Sequence, residues 1–317
     1  MPISADKPLQ WKADVAASVD LYNDWFMRFG PKAYRDTRAK TTERVQKAIQ
    51  LTDELTVLGP EILKAHPSIL PVLRMSTAPP LARDRLAGLA YVSRHLIQSM
   101  EDDGQLPPRM REEELASQLQ SIARVLIRLL DQDLFPWLEQ KTFPTKIERY
   151  RASTVVADRL CGAISDPIIR NAQEQRQLNL IARYLRKRGY AQVSGGTAKV
   201  FTGLPMGTFA FRMNVTAGVE RTVNVPVDVV IQPHQPHPSG FPILIEAKSA
   251  GDFANTNKRR KEEATKVKQL RGRYGDSLPY LLFLCGYFDA GYLGYEAAEG
   301  IDWVWEHRIE DLELAGV

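Results

Sequence analysis

The chain has 317 residues, 44% hydrophobic and 25% charged, with 20 glycines and 20 prolines. This composition suits a globular protein of about two domains and excludes disordered, collagen-like and fibrous chains. No apolar run approaches the roughly 20 residues that span a bilayer, and the opening Met1–Lys7 lacks the apolar stretch of a secretory signal, so a cytoplasmic protein is expected.

The net charge of +4 conceals an uneven arrangement. Lys and Arg against Asp and Glu number 21 and 20 over residues 1–150, 20 and 9 over 151–275, and 1 and 9 over 276–317. The basic middle segment suits a polyanion such as DNA or RNA, because neutralising phosphates releases counterions. Pairing with the acidic tail would give the same counts. Cys161 and Cys285 lie far apart in apolar surroundings, without metal-ligand spacing, and are expected as reduced core residues.

Residues 9–140 predict helices separated by proline-containing turns. Apolar residues recur at three and four, as in Val15, Val19, Tyr22 and Phe26, and again in Leu115, Leu119, Ile122, Leu126 and Leu129. Pro31, Pro60, Pro67, Pro71, Pro79 and Pro80 punctuate them, and Glu101–Pro108 reads as an exposed acidic loop. A boundary is expected near 145–165, dividing a helical domain, 1–150, from a second domain, 151–317. Asp166-Pro167 suits a helix start. Leu178, Ile181, Ala182 and Leu185 form one helical stripe, followed by Arg186, Lys187, Arg188 and the stop signal Gly189. Strands follow at 190–193, 199–202, 208–215, 221–231 and 241–248. A charged helix over about 255–274 and an almost wholly apolar strand, Tyr280–Cys285, complete an α/β pattern.

The chemistry concentrates on two of these strands. In Thr222–Ile231, alternation sets Val223, Val225, Val227 and Val229 on one face and Asp228 on the other. In Ile243–Lys248, Glu246 and Lys248 share a face opposite Ile243, Ile245 and Ala247. If the two strands pair as a hairpin, two carboxylates and an ammonium converge at a sheet edge. Asp228, Glu246 and the carbonyl of Ala247 make a hard-oxygen set suited to Mg²⁺. Lys248 is then placed to orient or deprotonate a water and to offset charge on phosphorus. The triplet alone is weak evidence, since Glu139-Gln140-Lys141 has the same form at a helix end. A plain cross-strand ion pair between Asp228 and Lys248, with Glu246 solvated, is the bland alternative.

Asp228, seventeen intervening residues, then Glu246-Ala247-Lys248, a basic helix and a buried strand resemble the PD-(D/E)XK nuclease superfamily. More closely, residues 150–317, including ILIEAKSAGDFANTNKRRKEE and the tail GYFDAGYLGYEAAEGIDWVWEHR, resemble the XamI-like restriction endonucleases. The resemblance implies a restriction-endonuclease-like core, a mixed β-sheet flanked by helices, beside a largely α-helical N-terminal domain. It implies Mg²⁺-dependent, site-specific hydrolysis of double-stranded DNA, leaving 5′-phosphate and 3′-hydroxyl ends, and it points to a GTCGAC-like palindrome. One departure is that Pro226 stands two residues before Asp228 instead of adjoining it. Glu174 matches the helical position where many superfamily members carry an extra acid, and Lys266 and Gln269 lie where members sometimes support the site.

Phosphate contacts are expected from Asn255, Thr256, Asn257, Lys258, Arg259, Arg260 and Lys261, which begin soon after Lys248, with Lys266, Lys268, Arg271 and Arg273 continuing the run. His234 and His237 read as an exposed proline-rich loop without further ligands, and Trp303, Trp305 and Tyr295 as packing residues. A homodimer reading a palindrome matches the two-fold symmetry of duplex DNA, with the helical domain as its dimerisation element or as a clamp on DNA. A DNA methyltransferase is the expected functional partner, since a cell must protect its own DNA. The competing readings are a repair or recombination nuclease of the same fold and a non-catalytic DNA-binding module.

Overall fold

Ten α-helices and six strands run through the residues described by the computed structural model, 2–196, 200–218, 222–253 and 256–317. The helices α1 (Pro8–Leu51), α2 (Pro60–Ala65), α3 (Leu70–Met75), α4 (Arg83–Ala90), α5 (Arg94–Gln98), α6 (Glu112–Leu129), α7 (Pro136–Gln140) and α8 (Lys146–Lys187) come first. Then follow β1 (Ala191–Gln192), β2 (Thr208–Ala217), β3 (Val223–Gln232), β4 (Ile243–Ala250), α9 (Thr256–Tyr274), β5 (Tyr280–Gly286), α10 (Ala290–Ala298) and β6 (Asp302–Trp305). The six-stranded sheet keeps sequence order. The pairs β2·β3 and β3·β4 are antiparallel, and β1·β2, β4·β5 and β5·β6 are parallel. This is the mixed sheet with flanking helices expected from the sequence. Among the described residues no helix is long and apolar enough to cross a membrane.

The chain divides into two compact units, 31–168 and 1–30 with 169–317, so the division differs from a cut at 150. Two physical facts explain this. First, α8 runs unbroken through Asp166-Pro167, which therefore does not start a helix, just as α1 runs through Pro31. A proline removes one helical hydrogen bond, and a long helix packed along its sides tolerates that loss. Second, the first thirty residues belong with the sheet. Ile3 is buried in one sheet core, Trp11 and Val15 pack against the other, Asp302 Oδ1 accepts the amides of Ser4 and Ala5 at 2.9 and 3.0 Å, and Ser18 Oγ accepts that of Gly286 at 2.8 Å.

The unit 31–168 has its own core, built on Val45, Leu70, Leu73, Leu86, Leu119, Ile122, Leu126, Phe135, Trp137 and Val156. The expected stripe of α6 lies inside it. Glu101 is not on an exposed loop. It lies in the middle of a π-helical turn, Ser99–Asp103, with its side chain only 1% exposed, held by Arg74 and Arg83 at 2.5 and 2.6 Å. Two cations supply the compensation that a buried carboxylate requires. The second acid-x-Lys triplet lies in this unit at the end of α7, where Lys141 adopts the left-handed cap conformation.

The sheet carries a core on each face. One gathers Leu178, Ile181, Ala182 and Leu185 of α8 against Phe209, Val229, Ile231, Ile243 and Ile245. The other gathers Val267 and Leu270 of α9 against Met213, Val225, Val227, Val230, Leu244 and Leu282. Gly189, at φ 83°, closes α8 as expected. Two strand expectations are corrected. Of the strand expected over 199–202, residues 200–202 form none, since Phe201–Gly203 is a short 3-10 turn, and Lys199 lies outside the described residues. The four valines of β3 do not share a face either. Val225 and Val227 enter the α9-side core, Val229 enters the α8-side core, and Val223 is 44% exposed. Alternation slips at Asp228, and it slips at the matching place in β2, where Phe211 and Met213 belong to opposite cores. Arg212, between them, has φ 52°.

Candidate active site

The hairpin of β3 and β4 is short. It pairs Ile231 with Ile243, Val230 with Leu244 and Val229 with Ile245. Beyond this, Asp228 Oδ2 accepts the amide of Ala247 at 2.9 Å, a side-chain bond in place of the ladder. The two strands therefore part where Asp228 and Glu246 stand side by side. Burial raises the Asp228 carboxyl from its ordinary 3.8 to about 6, and the neighbouring charge of Glu246 adds to the rise; the Ala247 amide, Lys248 and Lys266 pull it back.

Glu246 is 7% exposed. Its Oε1 lies 3.0 Å from Lys248 Nζ, and its Oε2 2.5 Å from Lys266 Nζ on α9. Lys248 Nζ also lies 2.7 Å from Glu263 Oε1, whose side chain is 2% exposed, and Glu263 Oε2 accepts the Tyr280 hydroxyl at 3.0 Å. Burial alone would lower the Lys248 ammonium, but Glu246 and then Glu263 overcome it and hold it above the usual lysine range. Burial raises the Tyr280 hydroxyl well above its ordinary value, and Glu263 raises it further, so it stays a donor. From the α8 side, Gln177 Nε2 donates to the carbonyls of Lys248 and Phe283, both at 3.3 Å, and ties β4 to β5 at the level of the site.

Three carboxylates thus meet two ammoniums. Burial first, and then the charge of Glu246, raise the Asp228 carboxyl, and a divalent cation would relieve both. Among the described residues no three acidic, histidine or cysteine side chains form a ready-made metal cage. The donor set is two carboxylates and a backbone carbonyl, which fits Mg²⁺, an ion that keeps several waters and takes few protein ligands.

A family model described as XamI restriction endonuclease matches residues 53–305. The chain belongs to the XamI restriction endonuclease family. It is 58% identical over 314 residues to a curated protein named Type II restriction enzyme SalI, from Streptomyces albus G, covering 99% of both chains. A solved structure described as protein VC1899 from Vibrio cholerae aligns with a TM-score of 0.29 and 13% identity; the match covers 80% of this chain but only 55% of that one.

In this member of the XamI family, Asp228, Glu246, Ala247, Lys248 and Lys266 come together as one cluster. Gln269 does not join them. It is exposed on α9, and its carbonyl accepts the amide of Gly218 at 3.3 Å. Glu174 pairs with Arg212 at 2.8 Å. Of the basic run, Asn255 lies outside the described residues, as do the side chains of Thr256, Asn257, Lys258 and Arg259. Lys261 is exposed, and the Arg260 guanidinium lies 3.7 Å from the ring centre of Tyr295. Arg271 and Arg273 are spent within the fold: Arg271 donates to the carbonyls of Glu299 and Gly300 at 3.0 and 2.7 Å, and Arg273 to that of Gly218 at 3.2 Å. His234 lies tilted against Tyr190, His237 bonds Ser239, and Trp303 and Trp305 are buried. Cys161 and Cys285 are buried free cysteines.

Sequence reasoning missed Glu263, Tyr280 and Gln177. Glu263 had a signal: it precedes Lys266 by three, so both occupy one face of α9. The excess of lysine and arginine around it masked the pattern. Tyr280 and Gln177 had none, because a hydroxyl starting an apolar strand and an amide in a polar helix are commonplace.

Proposed function

We propose that this protein is a type II restriction enzyme, a site-specific endonuclease of double-stranded DNA, and that it cuts at Asp228, Glu246 and Lys248 with Mg²⁺, leaving 5′-phosphate and 3′-hydroxyl ends. The observation that carries the assignment of residues is the convergence of Asp228 with Glu246-Ala247-Lys248 where β3 and β4 separate. Membership of the XamI family supports the reaction.

Asp228, Glu246 and the Ala247 carbonyl would hold Mg²⁺, with Lys266 yielding its place on Glu246 Oε2. When bound, the metal supplies Lewis acidity toward the scissile phosphate and acidifies a water. Lys248, kept cationic between Glu246 and Glu263, orients the attacking water and offsets charge building on phosphorus, and its raised proton affinity makes it a donor rather than a base. Glu263, held by Tyr280, is a positioning residue for Lys248. Lys258, Arg259, Arg260 and Lys261, with Asn255, Thr256 and Asn257, contact DNA phosphates. The enzyme acts as a homodimer on a palindrome, since one centre cuts one strand, the helical unit supplies the dimer contact or a clamp, and a cognate methyltransferase protects the host.

The test is plasmid cleavage with Mg²⁺, scored by mapping the ends. Asp228→Ala, Glu246→Ala and Lys248→Ala are each expected to abolish cleavage while duplex binding persists, and Lys248→Arg is not expected to rescue. Glu139→Ala with Lys141→Ala, in the other triplet, is expected to cut like wild type. A folded Asp228→Ala protein that still cuts would remove the assignment.

A further inference from the structure

Arg212 occupies a position that neither the family nor the cluster above accounts for. The flanking pairs Phe211 with Val229 and Met213 with Val227 leave it opposite Asp228 across β2 and β3. Directly opposed strand residues lie about 5 Å apart at their Cα atoms. Arg212, Asp228 and Glu246 thus form one row across three strands, at the point where the hairpin ladder ends.

The backbone at this position is unusual. A strand residue normally has φ near −120° to −140°, whereas Arg212 has φ 52°, a left-handed conformation that a side chain with a Cβ adopts at a cost. Glycine would adopt it without strain, yet the residue is arginine. The strain has a visible consequence. In regular alternation residue 212 would share the face of Ala210 and turn its guanidinium into the α9-side core; instead Met213 takes that face. Arg212 is left 64% exposed, with Nη2 2.8 Å from Glu174 Oε1 on α8, itself 38% exposed. An ion pair this open contributes little and exchanges readily for another anion.

Several other arginines of this unit are committed elsewhere. Arg176 pairs with Glu306 at 2.6 Å, and Arg271 and Arg273 donate to carbonyls. Among the described residues Arg212 combines exposure, one weakly held ion pair and a strand position in register with Asp228. A guanidinium grips a phosphate through two parallel donors, where Glu174 now takes one.

We propose that Arg212 binds a backbone phosphate of the strand being cut, beside the scissile group, and that Glu174 tethers its guanidinium until that phosphate displaces the carboxylate. The inference rests on the reading of Asp228 as the cleavage centre. It assigns Glu174 to holding a cation instead of a metal.

The test measures binding of a duplex containing the mapped cut site, in EDTA, across a series of salt concentrations. Arg212→Gly keeps the backbone conformation and removes the guanidinium, and Arg212→Asn, which also tolerates positive φ, serves if the glycine variant is unstable. Each is expected to weaken binding about tenfold or more and to flatten the slope of log affinity against log salt by about 0.9. In steady-state cleavage with Mg²⁺, KM is expected to rise more than kcat falls. Arg212→Lys should keep the full slope with intermediate affinity. Glu174→Gln should tighten binding a few-fold, with KM falling by more than kcat changes. Wild-type affinity and slope in both Arg212→Gly and Arg212→Asn would overturn the phosphate contact. Unchanged binding or a collapse of kcat in Glu174→Gln would overturn the tether, the latter moving Glu174 into the metal set. Because binding is read without metal, these outcomes stand apart from Asp228→Ala: an Asp228→Ala protein that still cuts would sink the cleavage centre whatever Arg212 does.

Discussion

Asp228→Asn should make the protein more stable and inactive at once, and the size of the gain can be worked from the site. The amide oxygen of Asn still accepts the Ala247 amide at the position of Asp228 Oδ2, so packing is preserved and the charge alone is lost. The folded chain raises the carboxyl from 3.8 to about 6, through burial first and the charge of Glu246 second. Ionising Asp228 in the folded state therefore costs stability. A difference of that size corresponds to roughly 3 kcal/mol at most, a net figure in which the attraction to Lys248 and Lys266 is already counted.

The sign fixes the pH window. Below about pH 4 the carboxyl is protonated in both folded and unfolded chains and the cost is absent. It grows as pH rises towards about 6 and is complete above that. In urea titrations with EDTA, Asp228→Asn is expected to match wild type near pH 4 and to exceed it by about 1–3 kcal/mol at pH 8, or by up to about 6 °C in Tm. Mg²⁺ should then narrow the gap by stabilising wild type alone. Equal stability at pH 8, or the same gain at pH 4 and pH 8, would refute the account of Asp228 as a buried carboxylate crowded by Glu246.

Glu263→Gln is expected to lower cleavage roughly 10- to 100-fold and to move the alkaline limb of the pH–rate profile to lower pH, because Lys248 loses the anion at 2.7 Å that helps keep it charged; an unmoved profile would reduce Glu263 to a packing role. Replacing Lys258, Arg259 and Arg260 together by Ala should weaken metal-free binding to all duplexes and lower the salt slope by about 0.9 per lost phosphate contact, and an unchanged slope, measured by fluorescence anisotropy, would move the DNA surface elsewhere.

The local sequence was sufficient wherever side-chain pattern and burial coincide. The stripe Leu178, Ile181, Ala182 and Leu185 made one face of α8, the apolar run at 280–285 made the buried β5, and the spacing of Asp228 from Glu246-Ala247-Lys248 made a hairpin that brings these groups together. These features are legible because each depends on residues near one another in the chain, through the helical and strand periods.

Tertiary structure decided the rest. Which of Glu262 and Glu263 reaches Lys248 depends on how α9 is rotated against the sheet, and Glu263 is the one with its side chain 2% exposed at 2.7 Å from Nζ. That residues 1–30 join the sheet, while 31–168 form a separate unit, follows from contacts nearly three hundred positions apart, such as Asp302 with Ser4. The slip of alternation at Asp228 could not be read from a valine pattern that continues unbroken through it, because the slip accompanies a left-handed arginine sixteen residues earlier, on the neighbouring strand. Periodicity assigns a residue to a face only while every backbone unit is regular; a single residue at positive φ exchanges the faces, and at Arg212 it falls opposite Asp228, where β3 and β4 begin to part.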